Sequence, residues 1–142
     1  MDKATTTVKL AQECEIMKKT IIITGAGSGI GAASVKVFLE NGYHVGLIGR
    51  RTKALEETAN GHKNALILPC DVSNPSAVDL AFKKALASWG RLGTLFNNAG
   101  IGSFSKTIDE VPVQDWLDVV SINLTGSFLC ARAAFKIMRE QV

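Results

Sequence analysis

Apolar and polar positions along the chain fall into two alternating kinds of block. Short, nearly unbroken apolar runs recur at about Thr20–Thr24, His44–Gly49, Ala65–Cys70 and Thr94–Asn97. Runs of this length without polar alternation predict central parallel strands covered on both faces. The segments between them carry helical spacing. From about Gly29 to Asn41, Ile30, Ala33, Val37 and Phe38 recur at i, i+3, i+7 and i+8, which predicts one apolar stripe, and Gly42 stops the helix. Arg50 and Arg51 open a short helix that ends near Asn60–Gly61. Asn74 caps a third helix with Pro75 in its first turn, and Val78, Ala81, Phe82, Ala85 and Trp89 form its buried stripe before Gly90. Residues 101–111 are polar and read as a loop. Pro112 opens a long helical stretch with Trp116, Val119, Val120, Leu124 and Phe128, whose spacing predicts burial or half-burial.

Strands alternating with helices, with no hairpin signal between them, predict crossover connections and a parallel sheet. The fold class is α/β, a doubly wound parallel sheet of about four strands. At 142 residues the chain holds one domain. A hydrophobic content of 46% with 20% charged residues marks a globular chain rather than a disordered one. The net charge of +3 is mild and dispersed, and gives no case for a nucleic-acid or membrane surface. No apolar run reaches the roughly 18 residues of a membrane span. Residues 1–17 lack a signal peptide's apolar core and read as a flexible leader, with Met17 as an alternative start and 18–142 as the domain. Cys14, Cys70 and Cys130 are far apart, without a CxxC or Cys/His cluster. They predict free thiols in a reducing cytoplasm and no metal site.

The most informative stretch is Thr20 to Gly31, an apolar run ending in four glycines, followed at once by helical spacing. Strand, glycine turn and helix start form an anion site, because backbone N–H groups and the helix dipole face a phosphate together. Gly27 to Ala32 also satisfies the general GxGxxG/A dinucleotide pattern. Methyltransferases that bind a nucleoside sulfonium use similar turns, so context must decide.

That context is a resemblance. Thr24-Gly25-Ala26-Gly27-Ser28-Gly29-Ile30-Gly31 resembles the TGxxxGIG turn of the short-chain dehydrogenase/reductase family. Asp71-Val72 after the third strand, Asn97-Asn98-Ala99-Gly100 after the fourth, and Asn123-Leu124-Thr125-Gly126 in the long helix follow in the family's order. The resemblance implies a Rossmann-like sheet of order 3-2-1-4 and hydride transfer between a nicotinamide cofactor and a carbonyl or secondary alcohol. It implies that Thr24, Gly25, Ser28, Gly29, Ile30 and Gly31 serve the phosphates. Asp71 and Val72 would serve the adenine, where Asp71 is otherwise a turn aspartate. Asn97, Asn98, Ala99 and Gly100 would border the cofactor and hold the sheet. Asn123 would keep its helix locally open in a proton relay, and a homo-oligomer is compatible with the family.

The end of the second strand speaks to cofactor choice. Ile48-Gly49-Arg50-Arg51 has no acid to accept from a ribose 2′-hydroxyl and offers two guanidinium groups instead. Arg binds a 2′-phosphate through charge-assisted, often bidentate contacts. Arg50 therefore favours NADP(H) over NAD(H), while Arg51 is a second candidate or a solvated helix residue. Ser103 and Ser105 sit in the loop over the expected nicotinamide site, without a catalytic assignment.

The family's Ser, Tyr and Lys are missing. The only tyrosine is Tyr43, with Leu47 four residues on, so there is no YxxxK. The expectation is a fragment, truncated after the Asn-bearing helix, that lacks turnover. A catalytically silent dinucleotide-binding or interaction fragment is the alternative. The fourth strand is then expected as an unprotected edge, and the long helix as partly exposed, so that the chain tends to associate.

Overall fold

The four apolar runs become β1 (Thr20–Thr24), β2 (His44–Gly49), β3 (Ala65–Pro69) and β4 (Thr94–Phe96). All pair in parallel, in the order β3-β2-β1-β4. Ile22 stands opposite Gly46 on one side and Leu95 on the other, so β1 is the sheet's axis. The structure, a computed structural model, describes residues 18–103 and 107–141. The expected leader, with Cys14 and Met17, and Ser105 lie outside them.

Because successive strand residues face opposite sides, each strand feeds two cores. Ile21, Ile23, Val45 and Leu47 pack with Val35 and Leu39 of α1 (Gly29–Glu40) and Leu55 and Ala59 of α2 (Thr52–Ala59). Ile22, Ile48 and Leu68 pack with α3 (Pro75–Trp89) and with the last helix. A Cβ at Gly46 would come within 3.0 Å of both Leu68 and Trp89, so the missing side chain makes room for the indole. In α3 the expected stripe of Val78, Ala81, Phe82, Ala85 and Trp89 is buried. Asn74 Oδ1 accepts from the Ala77 amide at 3.0 Å as the expected cap.

The long stretch after Pro112 is continuous but not uniform. It runs as α4 (Val113–Val119), a π-helical turn (Val120–Gly126) and α5 (Ser127–Arg139). A short 3-10 turn, Ile108–Glu110, interrupts the loop before it. The far end of this helical rod is tied to the start of β4. The Leu92 amide donates to Gln141 Oε1 at 2.6 Å, and Gln141 Nε2 donates to the Leu92 carbonyl at 2.9 Å.

Two expected faces are corrected. In α1 the buried positions are Gly31, Val35 and Leu39, whereas Ile30 is 73% and Val37 56% exposed. The helix leaves the glycine turn rotated, so that Gly31 rather than Ile30 lies against the turn. Along the long rod, Trp116, Leu124 and Phe128 are each more than 60% exposed, and of the five expected residues only Val119 and Val120 are half-buried. Its buried face is Gly126, Leu129, Cys130, Ala133 and Ala134, where all but Leu129 are small and let α5 approach α3 and the sheet closely. Both described cysteines are buried free thiols, Cys70 raised to about 11 and Cys130 to about 12, chiefly by burial.

The rotated face of α1 is tested by a pair of truncations. Leu39→Ala should cost about 2–5 kcal/mol in urea unfolding, and Val37→Ala less than about 0.5 kcal/mol. A second prediction concerns His44, at the opposite end of β2 from the strand's carboxyl terminus. Burial, then the Lys18 charge, holds its imidazole below the usual 6.5. Protons therefore bind the unfolded chain more readily, so stability should rise with pH through the window just below 6.5 and fall on acidification. Urea midpoints measured from pH 5 to 7.5 should lose this slope in His44→Gln.

Candidate functional site

The site grows from the carboxyl ends of β1 and β4, where the strand order reverses and open parallel sheets leave a crevice. The turn after β1 is tight because Gly25 takes φ +66° and Gly29 φ +53°. A Cβ on Gly31 would overlap the Gly25 carbonyl oxygen, so only glycine lets α1 start there. The Ala26 amide donates to the Ile48 carbonyl at 3.0 Å and fixes the turn to β2. Ser28 stands at the N-cap of α1 without a side-chain cap bond, and the first turn holds no acid. The leading N–H groups of α1 thus keep their positive end for an outside anion.

The turn after β4 is latched onto this one. Thr24 Oγ1 accepts from the Asn98 and Ala99 amides, each at 2.9 Å. Asn98 Nδ2 donates back to the Thr24 carbonyl at 3.0 Å and more weakly to the Gly25 carbonyl at 3.5 Å. Asn97 Nδ2 donates to the Ser127 carbonyl at 3.0 Å, tying β4 to the start of α5. The next tie is made by Asn123 inside the π turn. Its Oδ1 accepts from the Ile101 amide and its Nδ2 donates to the Ile101 carbonyl, both at 2.8 Å. An Asn in mid-helix ordinarily competes with the helix backbone; here it pairs with a loop backbone instead. Ser103 is exposed and donates to Asp115 Oδ2 at 3.4 Å.

One cleft connects these turns. It is lined by Gly25, Gly27 and Ser28, by Gly49, Arg50 and Arg51 after β2, by Asp71 and Val72 after β3, and by Ala99, Gly100 and Ile101 after β4. Ala54, Leu55, Cys70 and Ile122 complete the wall. Of the residues expected from sequence, Gly25, Ser28, Arg50, Arg51, Asp71, Val72, Ala99 and Gly100 are brought together here. Thr24, Gly29, Ile30, Gly31, Asn97, Asn98 and Asn123 stand behind or beside the wall. Thr24 is buried, Ile30 is exposed, and both Asn98 and Asn123 spend their amides on backbone groups. Sequence reasoning quoted Gly27 within the turn without a role of its own, and missed Gly49, Ala54, Leu55, Cys70, Ile101 and Ile122. Most of these are small or apolar residues whose only signal is position next to a motif.

The charges in the cleft are uneven. Arg50 and Arg51 are exposed and form no ion pair with described residues. The Asp71 carboxyl is held below the usual carboxylate range, first by the Ser73 hydroxyl and amide and then by the Arg50 charge. The wall therefore offers a carboxylate acceptor, two free guanidinium groups and a glycine-lined helix start. That donor and acceptor set fits an anionic nucleotide, and glycine at 25 and 31 lets the turn close against Asn98 and the Gly25 carbonyl behind the cleft.

Comparison with known proteins agrees. The family described as short chain dehydrogenase matches residues 19–142. The chain belongs to this family of short-chain dehydrogenases and reductases. It is 36% identical over 128 residues to a 3beta-hydroxysteroid dehydrogenase of Mediterraneibacter gnavus, covering 86% of this chain and 46% of that protein. It is 38% identical over 128 residues to a probable 2,4-dienoyl-CoA reductase of Bacillus subtilis, covering 87% and 50%. A 3-ketoacyl-(acyl-carrier-protein) reductase from Brucella melitensis, solved with NADH, superposes with a TM-score of 0.83 at 32% identity over 86% of this chain and 50% of that one. An NAD+-bound xylitol dehydrogenase gives 0.82 at 30% identity, over 87% and 49%. The chain thus spans about half the length of the relatives it matches.

The latch between the two turns is open to a direct test. Thr24→Val removes the acceptor of two amides and should cost roughly 1–3 kcal/mol for each one orphaned, read by urea unfolding. Thr24→Ser, which keeps the hydroxyl, should stay close to the wild type.

Proposed function

We propose that residues 18–142 form the cofactor-binding part of an NADP(H)-preferring oxidoreductase that acts on a carbonyl or secondary alcohol. A nicotinamide dinucleotide, when bound, supplies the hydride to a carbonyl or takes one from an alcohol. The chain's own part is binding and orientation. The Gly25–Gly31 turn and the start of α1 would hold the phosphates, and Arg50, helped by Arg51, a ribose 2′-phosphate. Asp71 and Val72 would meet the adenine. Ala99 and Gly100 would border the ribose, with Asn97 and Asn98 holding that border in place. Asn123 would keep the π turn and Ile101 in register beside the nicotinamide end, at the place of the family's relay asparagine. Two buried reduced thiols suit a reducing compartment such as the cytoplasm.

The observation that carries the cofactor preference is the pair of uncommitted arginines at the end of β2, with no acid beside them to meet a ribose diol. A carboxylate at that place would repel a 2′-phosphate; a guanidinium binds it. The relatives solved with NADH and NAD+ support a nicotinamide dinucleotide; the phosphate preference rests on the two arginines, Arg50 first. Arg50→Asp should weaken NADPH binding roughly 10- to 100-fold, in line with loss of a charge-assisted contact. NADH affinity should hold or improve. Calorimetric titration with both dinucleotides checks this, and an unaltered preference refutes it.

One observation favours a second reading of these residues, as a silent dinucleotide binder. Tyr43, the only tyrosine, packs edge-on against Phe38 with ring centroids 4.9 Å apart, just before β2 begins. It lies at the end of the sheet away from the cleft and offers no proton to a ligand there. Saturable NADPH binding by the 142-residue chain, without oxidation across a panel of ketones, would fit this reading.

A further inference from the structure

The carboxylate of Asp71 is not a free arm at the mouth of the cleft. Its Oδ1 accepts from the Ser73 amide at 2.9 Å and from the Ser73 hydroxyl at 2.7 Å. Both bonds fall on the same oxygen, and Oδ2 accepts none from the described residues. The Asn74 amide closes the same turn on the Asp71 carbonyl at 3.0 Å, and Asn74 in turn caps α3. The turn is therefore anchored to a 15-residue helix, and the carboxylate's orientation is fixed with it. Asp71 lines the cleft with Arg50, whose positive charge acts on it, yet no ion pair joins them.

We propose that Ser73 is a positioning residue that selects adenine: by holding Asp71 Oδ1 it leaves Oδ2 facing the cleft as an acceptor for an exocyclic amino group. The proposal rests on the dinucleotide reading above and adds how the base end of the cleft discriminates. Adenine presents an amino donor to an ionised carboxylate. Hypoxanthine, which differs by an oxygen in place of that amino group, presents an acceptor, so two lone pairs would face each other. The Ser73 bonds hold the carboxyl below its usual range, so it is ionised and accepts at neutral pH. Ser73 needs no contact with the ligand to exert this choice.

The test compares binding of NADPH with that of its hypoxanthine analogue to the whole chain and its variants. Wild type should favour the adenine form roughly tenfold or more, the worth of one hydrogen bond to a charged group. Ser73→Ala should compress that ratio severalfold, and Ser73→Thr, which keeps the hydroxyl, should restore it. A merely structural role would weaken both ligands together and leave the ratio alone. Asp71→Asn, nearly isosteric and able to donate to the hypoxanthine oxygen, should flatten the ratio even if Ser73→Ala fails to fold. A ratio unchanged in Ser73→Ala or in Asp71→Asn overturns the proposal while leaving the dinucleotide reading intact. Failure of wild type to bind either dinucleotide would overturn that reading and the proposal with it.

Discussion

Thr24 Oγ1 takes two amides from the turn after β4, 74 and 75 residues further along the chain. Those amides would otherwise end a strand without a partner in the protein. With them satisfied, the turns after β1 and β4 become one rigid piece at the point where the strand order reverses. Asn98 adds its side-chain amide to the Thr24 carbonyl, and it is this amide nitrogen that crowds Gly25 and Gly31. The glycines are thus demanded twice, by the backbone conformation of the turn and by the asparagine behind it. The phosphate site proposed for this turn would need N–H groups held still before a ligand arrives, and the latch ties the turn that carries them.

From that piece a second line of ties reaches the long helical rod. Asn97 bonds the carbonyl of Ser127, Asn123 pairs with both backbone groups of Ile101, and Gln141 does the same for Leu92. Three side-chain amides stand in for the strand pairing that β4 lacks on that side among the described residues. They also account for the π turn. To reach Ile101, the Asn123 side chain must face the loop, and an extra residue in the turn shifts the helix phase accordingly. Gly126 at its end lies against Val72, where a Cβ would come within 2.7 Å of a Val72 methyl, so the rod and the turn after β3 meet as well.

What the sequence made legible follows from how local each signal is. Strands, the α3 stripe and the Asn74 cap depend on neighbours a few residues away, and they stand as expected. The face of α1 was misread because Gly31 carries no hydrophobicity, so the 31, 35, 39 series loses its first member and the exposed Ile30 and Val37 look like the stripe. The rod was misread through size. Its large residues Trp116, Leu124 and Phe128 outweigh the small ones in any hydrophobic pattern, yet close helix packing favours Gly126, Ala133 and Ala134. In the site, glycines, asparagines, Asp71 and Arg50 announce themselves by chemistry. Ala54, Leu55 and Ile122 become wall only through crossovers that bring them there.

The cleft's electrostatics carry the last step. Arg50 and Asp71 attract one another across the wall but form no ion pair, and Asp71 is already bonded to Ser73. A paired arginine and aspartate would have to be separated by an incoming ligand, losing a charge-assisted bond before any new one formed. Kept apart, both groups present unsatisfied capacity at neighbouring points: a positive fork and a fixed acceptor. A ligand that is anionic at one point and carries an N–H donor a short distance away satisfies both without breaking either. Adenosine phosphates have that polarity, and neutral sugars or simple anions do not. On the proposal made above, the hold of Ser73 on Asp71 is what would suit this anion cleft to a nucleotide.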